Sequence, residues 1–182
     1  MSDKFEHAGL IIKIEQDLDP LHPRTDEEPL GHMFCIHRRY NIGDKHHLSV
    51  EELMEIASDP KNVCLPIFAY EHSGITISTS AFSCPWDSGQ IGIIYMTEDE
   101  VKKEYNGDID RAIKGLKSSV EYYDQYLTGD VWGYTIEDKE GNVLDSCWGF
   151  YGYQYCEIEA KSSAEYFAKQ EKEAENYYLN KL

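Results

Sequence analysis

The chain has 182 residues, and 34 acidic side chains against 17 lysines and arginines give it a net charge of −17. A chain of this length is expected to fold as one domain, because a single core then buries roughly 70% of the unfolded surface. The sign of the charge disfavours direct binding to nucleic acid or to an anionic membrane, since both need clustered lysine and arginine.

The cysteines and the first residues bear on the cellular compartment. The five cysteines include no CxxC pair, and this odd, unpaired set is typical of reduced thiols. The first ten residues, MSDKFEHAGL, contain no apolar segment of the kind found in signal peptides. We therefore expect a cytoplasmic protein.

The first third of the chain contains two predicted strands with an acidic loop between them. Residues 9–14 are apolar and β-branched, and residues 33–40 alternate roughly between apolar and polar types. Residues 15–31 contain three prolines and six acids without any period, which indicates an exposed acidic loop. Ser49, with Glu52 three positions later, forms a capping box that predicts a helix.

The middle of the chain is predicted to form three strands and two helices. The strands are residues 63–70, 75–80 and 90–96. Thr97 and Glu100 form a second capping box, which begins a short helix. A longer helix begins at Asp108. Its predicted apolar stripe consists of Ile109, Ala112, Ile113, Leu116, Val120, Tyr123 and Leu127.

Residues 130–138 and 142–151 are predicted to form a hairpin around the turn KEGN. In the expected register Trp132 lies opposite Gly149 and Trp148 opposite Gly133, so that each indole covers a glycine. The period of two sends the two indoles to opposite faces of the sheet.

The order of these elements predicts an α+β fold. Because strands come in consecutive groups, we expect a mostly antiparallel twisted sheet of about six or seven strands, with three or four helices packed on it. One of them is a C-terminal helix capped by Ser162 and Glu165, with Phe167, Ala174 and Tyr178 on one side. The whole chain, residues 1–182, is expected to be a single domain.

The histidines suggest one possible catalytic site. All seven lie in the first 72 residues, and several fall in the stretch GHMFCIHRRYNIGDKHH. His37 is a candidate general base with Asp44 as its orienting carboxylate, and Arg39 is a candidate for holding a phosphate or carboxylate. The alternative is that His37 and Arg39 simply face solvent on a strand.

A metal site in the same stretch has little support from spacing. The candidate ligands are His32, Cys35, His37, His46 and His47, and of these Cys35 and His37 are predicted to share a strand face. No HxH, HExxH or paired CxxC spacing is present, and neither GxGxxG nor GxxxxGK[ST] occurs. We therefore predict no metal and no cofactor.

Residues 84–96, CPWDSGQIGIIYM, suggest a binding site rather than a catalytic one. The DSG sequence at 87–89 precedes a strand and lacks the first glycine of a nucleophile elbow, so we predict a turn with Gly89 at positive φ. Trp86 is a candidate anchor for a partner, because tryptophan is enriched at binding hot spots.

Acidic residues would steer a basic partner toward this anchor. The candidates are Asp26, Glu27, Glu28 and Asp87. Two other readings of the acidic excess stay open: it serves solubility alone, or its carboxylates copy the charge of DNA.

Four stretches, HRRYNIGD, PWDSGQIGIIYM, YDQYLTGDVWGY and DSCWGFYG, together resemble an uncharacterised family of small proteins from bacteriophages and other mobile elements. The resemblance covers about residues 10–160. It implies such an origin and a host-cytoplasm setting, and it assigns no activity.

Two hypotheses follow from the charge and this resemblance. In the first, the protein binds and blocks a basic surface of a host defence or DNA-processing protein, as anti-restriction and anti-CRISPR proteins do. In the second, it is a small hydrolase or nuclease that uses residues 37–47.

Overall fold

A computed structural model of the protein describes residues 2–179, without the side chains at positions 175, 176, 178 and 179, so the predicted position of Tyr178 lies outside it. Within this range the chain forms strands and helices that confirm the α+β class. The strands are β1 (Ser2–His7), β2 (Leu10–Gln16), β3 (His32–Cys35), β4 (Asn62–Glu71), β5 (Ile75–Ser78), β6 (Ser88–Thr97), β7 (Val131–Glu137) and β8 (Val143–Tyr151). The helices are α1 (Val50–Ser58), α2 (Glu98–Tyr105), α3 (Ile109–Thr128) and α4 (Tyr153–Leu179).

The strands form two antiparallel sheets of four, where we expected one sheet of six or seven. The chain correspondingly divides into two compact units. Unit 1 combines the described parts of Met1–Pro20 and Gly129–Leu182, and unit 2 is Leu21–Thr128. Each unit has its own buried apolar cluster. The prediction of one domain for the whole chain stays a prediction. No helix of the described chain is both long enough and apolar enough to cross a membrane.

In unit 1, α4 packs on one face of a sheet with the strand order β1-β2-β7-β8. Alternate residues of β2 and β7 are buried toward the helix, as a period of two requires. The helix presents small residues to them at four-residue spacing, and this lets it lie close to the sheet. These residues are Cys156, Ala160, Ala164 and Ala168.

The predicted hairpin of β7 and β8 forms, with bulges at both ends that shift its register. The centre pairs as expected. Trp132, however, pairs with Phe150, so its predicted position opposite Gly149 is wrong. Trp148 does cover Gly133, since a Cβ added to that glycine would lie 2.2 Å from the indole. Trp132 packs against the core under α4 while Trp148 lies on the other face, as predicted.

Helix α4 begins at Tyr153, and the predicted start near Ser162 is therefore wrong. The two serines lie in the middle of the helix. Ser163 donates its hydroxyl to Asp145 Oδ2 of β8 at 2.6 Å, so it joins the helix to the sheet instead of capping the helix.

In unit 2, α1, α2 and α3 pack against a sheet with the order β3-β6-β4-β5. Both predicted capping boxes are confirmed, at the N-termini of α1 and α2. The stripe on α3 is confirmed at Ala112, Leu116, Val120 and Tyr123, which are buried. On α1 only Leu53 is buried in this way.

Two strand boundaries in unit 2 differ from the prediction, and both lie near the candidate sites. Strand β3 ends at Cys35, so His37 follows the strand and does not share a strand face with Cys35. Strand β6 begins at Ser88, because Ser88 and Gly89 pair with Tyr70 and Ala69 of β4. The predicted turn at 87–89 is therefore strand from its second residue, and Gly89 does not have the positive φ that we expected.

Candidate functional site

Trp86 is the most unusual side chain on the surface of unit 2. It lies in the loop between β5 and β6, and 92% of its surface is exposed, although tryptophan is on average highly buried. The other two indoles are engaged. Trp132 donates its Nε1–H to Asp130, and Trp148 donates to Ser146 at 3.1 Å. Within the described residues Trp86 has neither a hydrogen bond nor a ring contact.

The backbone beside Trp86 is held in place despite this exposure. The N–H of Glu71 donates to the carbonyl of Asp87 at 2.9 Å, which joins the end of the loop to β4. The hydroxyl of Ser88 donates to the carbonyl of Cys84 and closes the loop on itself. Trp86 therefore projects from a fixed position, which lowers the ordering cost of any contact it makes.

Trp86 borders a cleft of about 380 Å³ that is also lined by His37, Arg39, Glu71 and Asp87. Glu71 is bonded on both carboxylate oxygens, to His37 Nε2 at 2.9 Å and to Arg39 Nη1 at 3.2 Å. The structure thus brings two of the catalytic candidates to the predicted partner anchor. This convergence could not be predicted from local spacing, because Glu71 joins them from β4.

His37 is held by hydrogen bonds at both ring nitrogens. Its Nδ1 accepts the backbone N–H groups of Arg39 and Tyr40, at 3.2 and 3.1 Å. The proton therefore sits on Nε2, which donates to Glu71. Because neither nitrogen faces the cleft unpaired, this geometry gives His37 a positioning role and does not support its candidate role as a general base.

Asp44 does not orient His37, and that predicted pairing needs correction. Its carboxylate binds Arg24 with both oxygens, at 2.9 Å from Nε and 2.6 Å from Nη2. It also accepts the backbone N–H of Met33 at 2.8 Å. The carboxylate beside His37 is Glu71, which lies 34 residues along the chain and could not be assigned from local spacing.

The candidate metal ligands considered from the sequence are dispersed among other partners. His32 Nε2 lies 2.7 Å from Glu100 Oε1, and His46 Nε2 donates to the carbonyl of Cys35 at 2.9 Å. Burial raises the pKa of the Cys35 thiol to about 12. Across residues 2–179 no three His, Cys, Asp or Glu side chains form a group that could hold a metal ion.

The acidic loop is partly ordered by its own side chains. Asp26 accepts the N–H of His22 at 2.9 Å and the hydroxyl of Thr25 at 3.0 Å, and these bonds lower the pKa of Asp26 below its usual value. Glu27 accepts the hydroxyl of Tyr122 on α3 at 3.2 Å. The three predicted steering acids in this loop, Asp26, Glu27 and Glu28, are exposed.

These acids do not line the cleft at Trp86. Glu27 and Glu28 line a separate cleft beside α3, together with Ser118 and Tyr122. Of the predicted partner-binding residues, the structure therefore groups Trp86 with Asp87 and places the other three elsewhere on unit 2.

Comparison of the chain with protein-family models, with curated proteins and with solved structures finds no match. The site is therefore interpreted from its own chemistry.

Proposed function

We propose that this is a binding protein that occupies a basic surface of a partner protein, with Trp86 as its anchor. The observation that carries the proposal is the combination of an indole that is 92% exposed and a backbone that fixes it in place. A large aromatic side chain of this kind gains free energy when a partner buries it, and tryptophan is prominent among residues that dominate binding.

Charge selects the partner. The chain carries −17, and unit 2 alone has 18 acidic residues against 10 lysines and arginines. A surface of this sign attracts basic proteins and repels nucleic acid. The acids at 26–28 would act through the long-range field, whereas Asp87 lies beside the anchor.

The class of partner we propose is a host defence or DNA-processing protein, whose nucleic-acid surface is basic. Two features support this class of partner. Four stretches of the chain resemble a family of small proteins from bacteriophages and mobile elements, and the chain is strongly acidic. On this proposal the protein acts in the host cytoplasm, in the manner of anti-restriction or anti-CRISPR proteins, and its carboxylates take the place of DNA phosphates.

The hydrolase or nuclease alternative at residues 37–47 has less support. His37 and His46 each use Nδ1 to accept backbone N–H groups and Nε2 to bind a second partner, and Asp44 is bound to Arg24. The candidate base His37 and the candidate orienting acid Asp44 are therefore both bonded within the fold.

The test is a kinetic comparison of variants against the purified partner, first captured from host lysate with the tagged full chain. We expect Trp86→Ala to raise the dissociation rate about 30-fold or more, the effect of losing a hot-spot tryptophan. Met54→Ala, which removes another exposed apolar side chain of unit 2, is the matched control and should leave both rates unchanged.

The triple variant Asp26→Asn, Glu27→Gln, Glu28→Gln should slow association roughly 3- to 10-fold at low salt and have little effect at high salt, where the field is screened. If Trp86→Ala binds as tightly as the parent, the anchor is not Trp86 and the proposal fails.

A further inference from the structure

One arginine of unit 2 already shows how the Trp86 cleft holds a cation. The guanidinium of Arg39 lies over the ring of Tyr40, 5.4 Å from its centroid, and its Nη1 forms an ion pair with Glu71 Oε2 at 3.2 Å. A planar guanidinium makes these two contacts at once, because its face stacks on a ring while its edge donates hydrogen bonds.

Trp86 and Asp87, which also line this cleft, supply another aromatic ring and another carboxylate. Within the described chain the Asp87 carboxylate makes one weak side-chain contact, with the Cys84 thiol at 3.8 Å. The cations that lie over rings in the described residues are Arg39, Arg111 and Lys161, and none of them lies over Trp86. Ring and carboxylate are both accessible, since both line the open cleft.

We propose that Trp86 and Asp87 bind an arginine side chain of the partner, which stacks on the indole and donates to the carboxylate. This inference rests on the proposed function and names the group that the anchor receives. Arginine is favoured over lysine because a compact ammonium ion does not stack and carries its hydration more tightly.

The charges around the cleft favour a cation over an anion. The Arg39 charge is paired with Glu71, whereas Asp87 has no cationic partner within the described chain. The cleft therefore carries an uncompensated negative charge in a chain whose net charge is also negative. An anionic group placed beside Trp86 would be repelled by the charge of the cleft and by the net charge of the chain.

The test uses the ¹⁵N-labelled full chain and two capped hexapeptides, one alternating glycine with arginine and the other glycine with lysine. The indole N–H resonance of Trp86, assigned through Trp86→Phe, reports binding. We expect it to shift with the arginine peptide at a half-saturating concentration about threefold or more below that of the lysine peptide. The resonances of Trp132 and Trp148 should not move.

Two variants and a control isolate the groups. Trp86→Leu keeps an apolar side chain but removes the indole reporter, so binding to this variant is followed through the backbone amide resonance of Asp87. The variant should abolish the difference between the peptides. Asp87→Asn should weaken binding of the arginine peptide about threefold or more. Asp99→Asn makes the same charge change at an exposed position of α2 and should leave binding unchanged. Equal half-saturation by the two peptides, or an arginine preference that survives Trp86→Leu, would overturn the inference.

The outcome is separable from that of the proposed function. If the two peptides bind equally but Trp86→Ala still weakens binding of the purified partner, Trp86 is the anchor and the arginine assignment fails. If the peptides are distinguished but Trp86→Ala leaves partner binding unchanged, the site binds arginine and the proposed function fails.

Discussion

At the scale of single residues, Arg24 organises the acidic loop. Its side chain is 1% exposed, although it lies in the most acidic stretch of the sequence. It donates to both oxygens of Asp44 and, at 2.9 Å, to the carbonyl of Gly31. Since Asp44 also accepts the N–H of Met33, this pair joins the loop to β3 and holds the neighbouring acids at defined positions.

We predict that Arg24→Ala lowers the free energy of unfolding of the protein by about 3–5 kcal/mol, because it leaves the Asp44 carboxylate without its counter-ion. Arg39→Ala breaks an exposed ion pair and should cost about 1 kcal/mol or less. Urea denaturation of the two variants and the parent measures the difference. Similar losses for both variants would mean that the buried pair contributes no more than the exposed one.

The sequence identifies the reactive residue types and not their roles. His22, His37 and His46 each accept, at Nδ1, the backbone N–H two residues later, so they shape turns. These hydrogen bonds join residues only two positions apart, so they are as local as those of a capping box. The sequence nevertheless does not distinguish such a histidine from a catalytic one. The burial of Arg24 was unpredictable for another reason: its partner Asp44 lies 20 residues away.

At the scale of elements, α3 protects an edge of the sheet in unit 2. Strand β5 is at the edge, where unpaired N–H groups invite pairing with another chain. Asp124 Oδ1 accepts the N–H of Ile77 and the hydroxyl of Thr76, each at 2.7 Å. One carboxylate thus joins the helix to the strand and satisfies an edge donor.

We predict that Asp124→Ala destabilises the protein by about 1–3 kcal/mol, since it leaves a partly buried N–H unsatisfied. Glu121→Ala removes an exposed carboxylate from the same helix and should change stability by less than about 0.5 kcal/mol. Thermal unfolding compares them, and hydrogen exchange should be faster at Ile77 in the first variant alone. Unchanged exchange at Ile77 would contradict this role of Asp124.

Elements with local signals were predictable, and those that depend on distant partners were not. Both capping boxes formed as expected because each is complete within four residues. Strand β1 was missed since SDKFEH is mostly polar and gains its place by pairing with β2. The hairpin centre was correct, while the bulge between Trp132 and Tyr134 lies where Trp148 packs on Gly133.

At the scale of the whole molecule, unit 2 is an insertion between two neighbouring strands of unit 1. Strands β2 and β7 pair directly, with Gln16 opposite Trp132, and the Gln16 side chain donates to the carbonyl of Gly129 at 2.7 Å. Within unit 2 the rings of His22 and Tyr126, which lie near its two ends, are 4.8 Å apart. In each unit, therefore, the two chain segments at the insertion lie close together. Closely spaced ends of this kind are typical of inserted domains.

We predict that residues 1–20 joined by a short Gly-Ser linker to residues 129–182 fold without unit 2. The expected product unfolds cooperatively on heating, with a stability of roughly 3–5 kcal/mol or less because its core is small. Ile12→Asp in the same shortened chain places a charge in the core and should abolish the transition. A shortened chain that shows no cooperative transition would mean that unit 1 needs the insertion to fold.

This insertion sets an order of events on the ribosome. The hairpin of β1 and β2 is synthesised before unit 2, and β7 follows Gln16 by about 115 residues. At about 5–20 residues per second that interval lasts roughly 6–23 s. A two-stranded hairpin is marginal alone, and the apolar residues Leu10, Ile12 and Ile14 stay uncovered until α4 emerges. The nascent chain therefore presents a short apolar segment near its N-terminus while unit 2 is already complete, and this segment is where we expect chaperones to bind it.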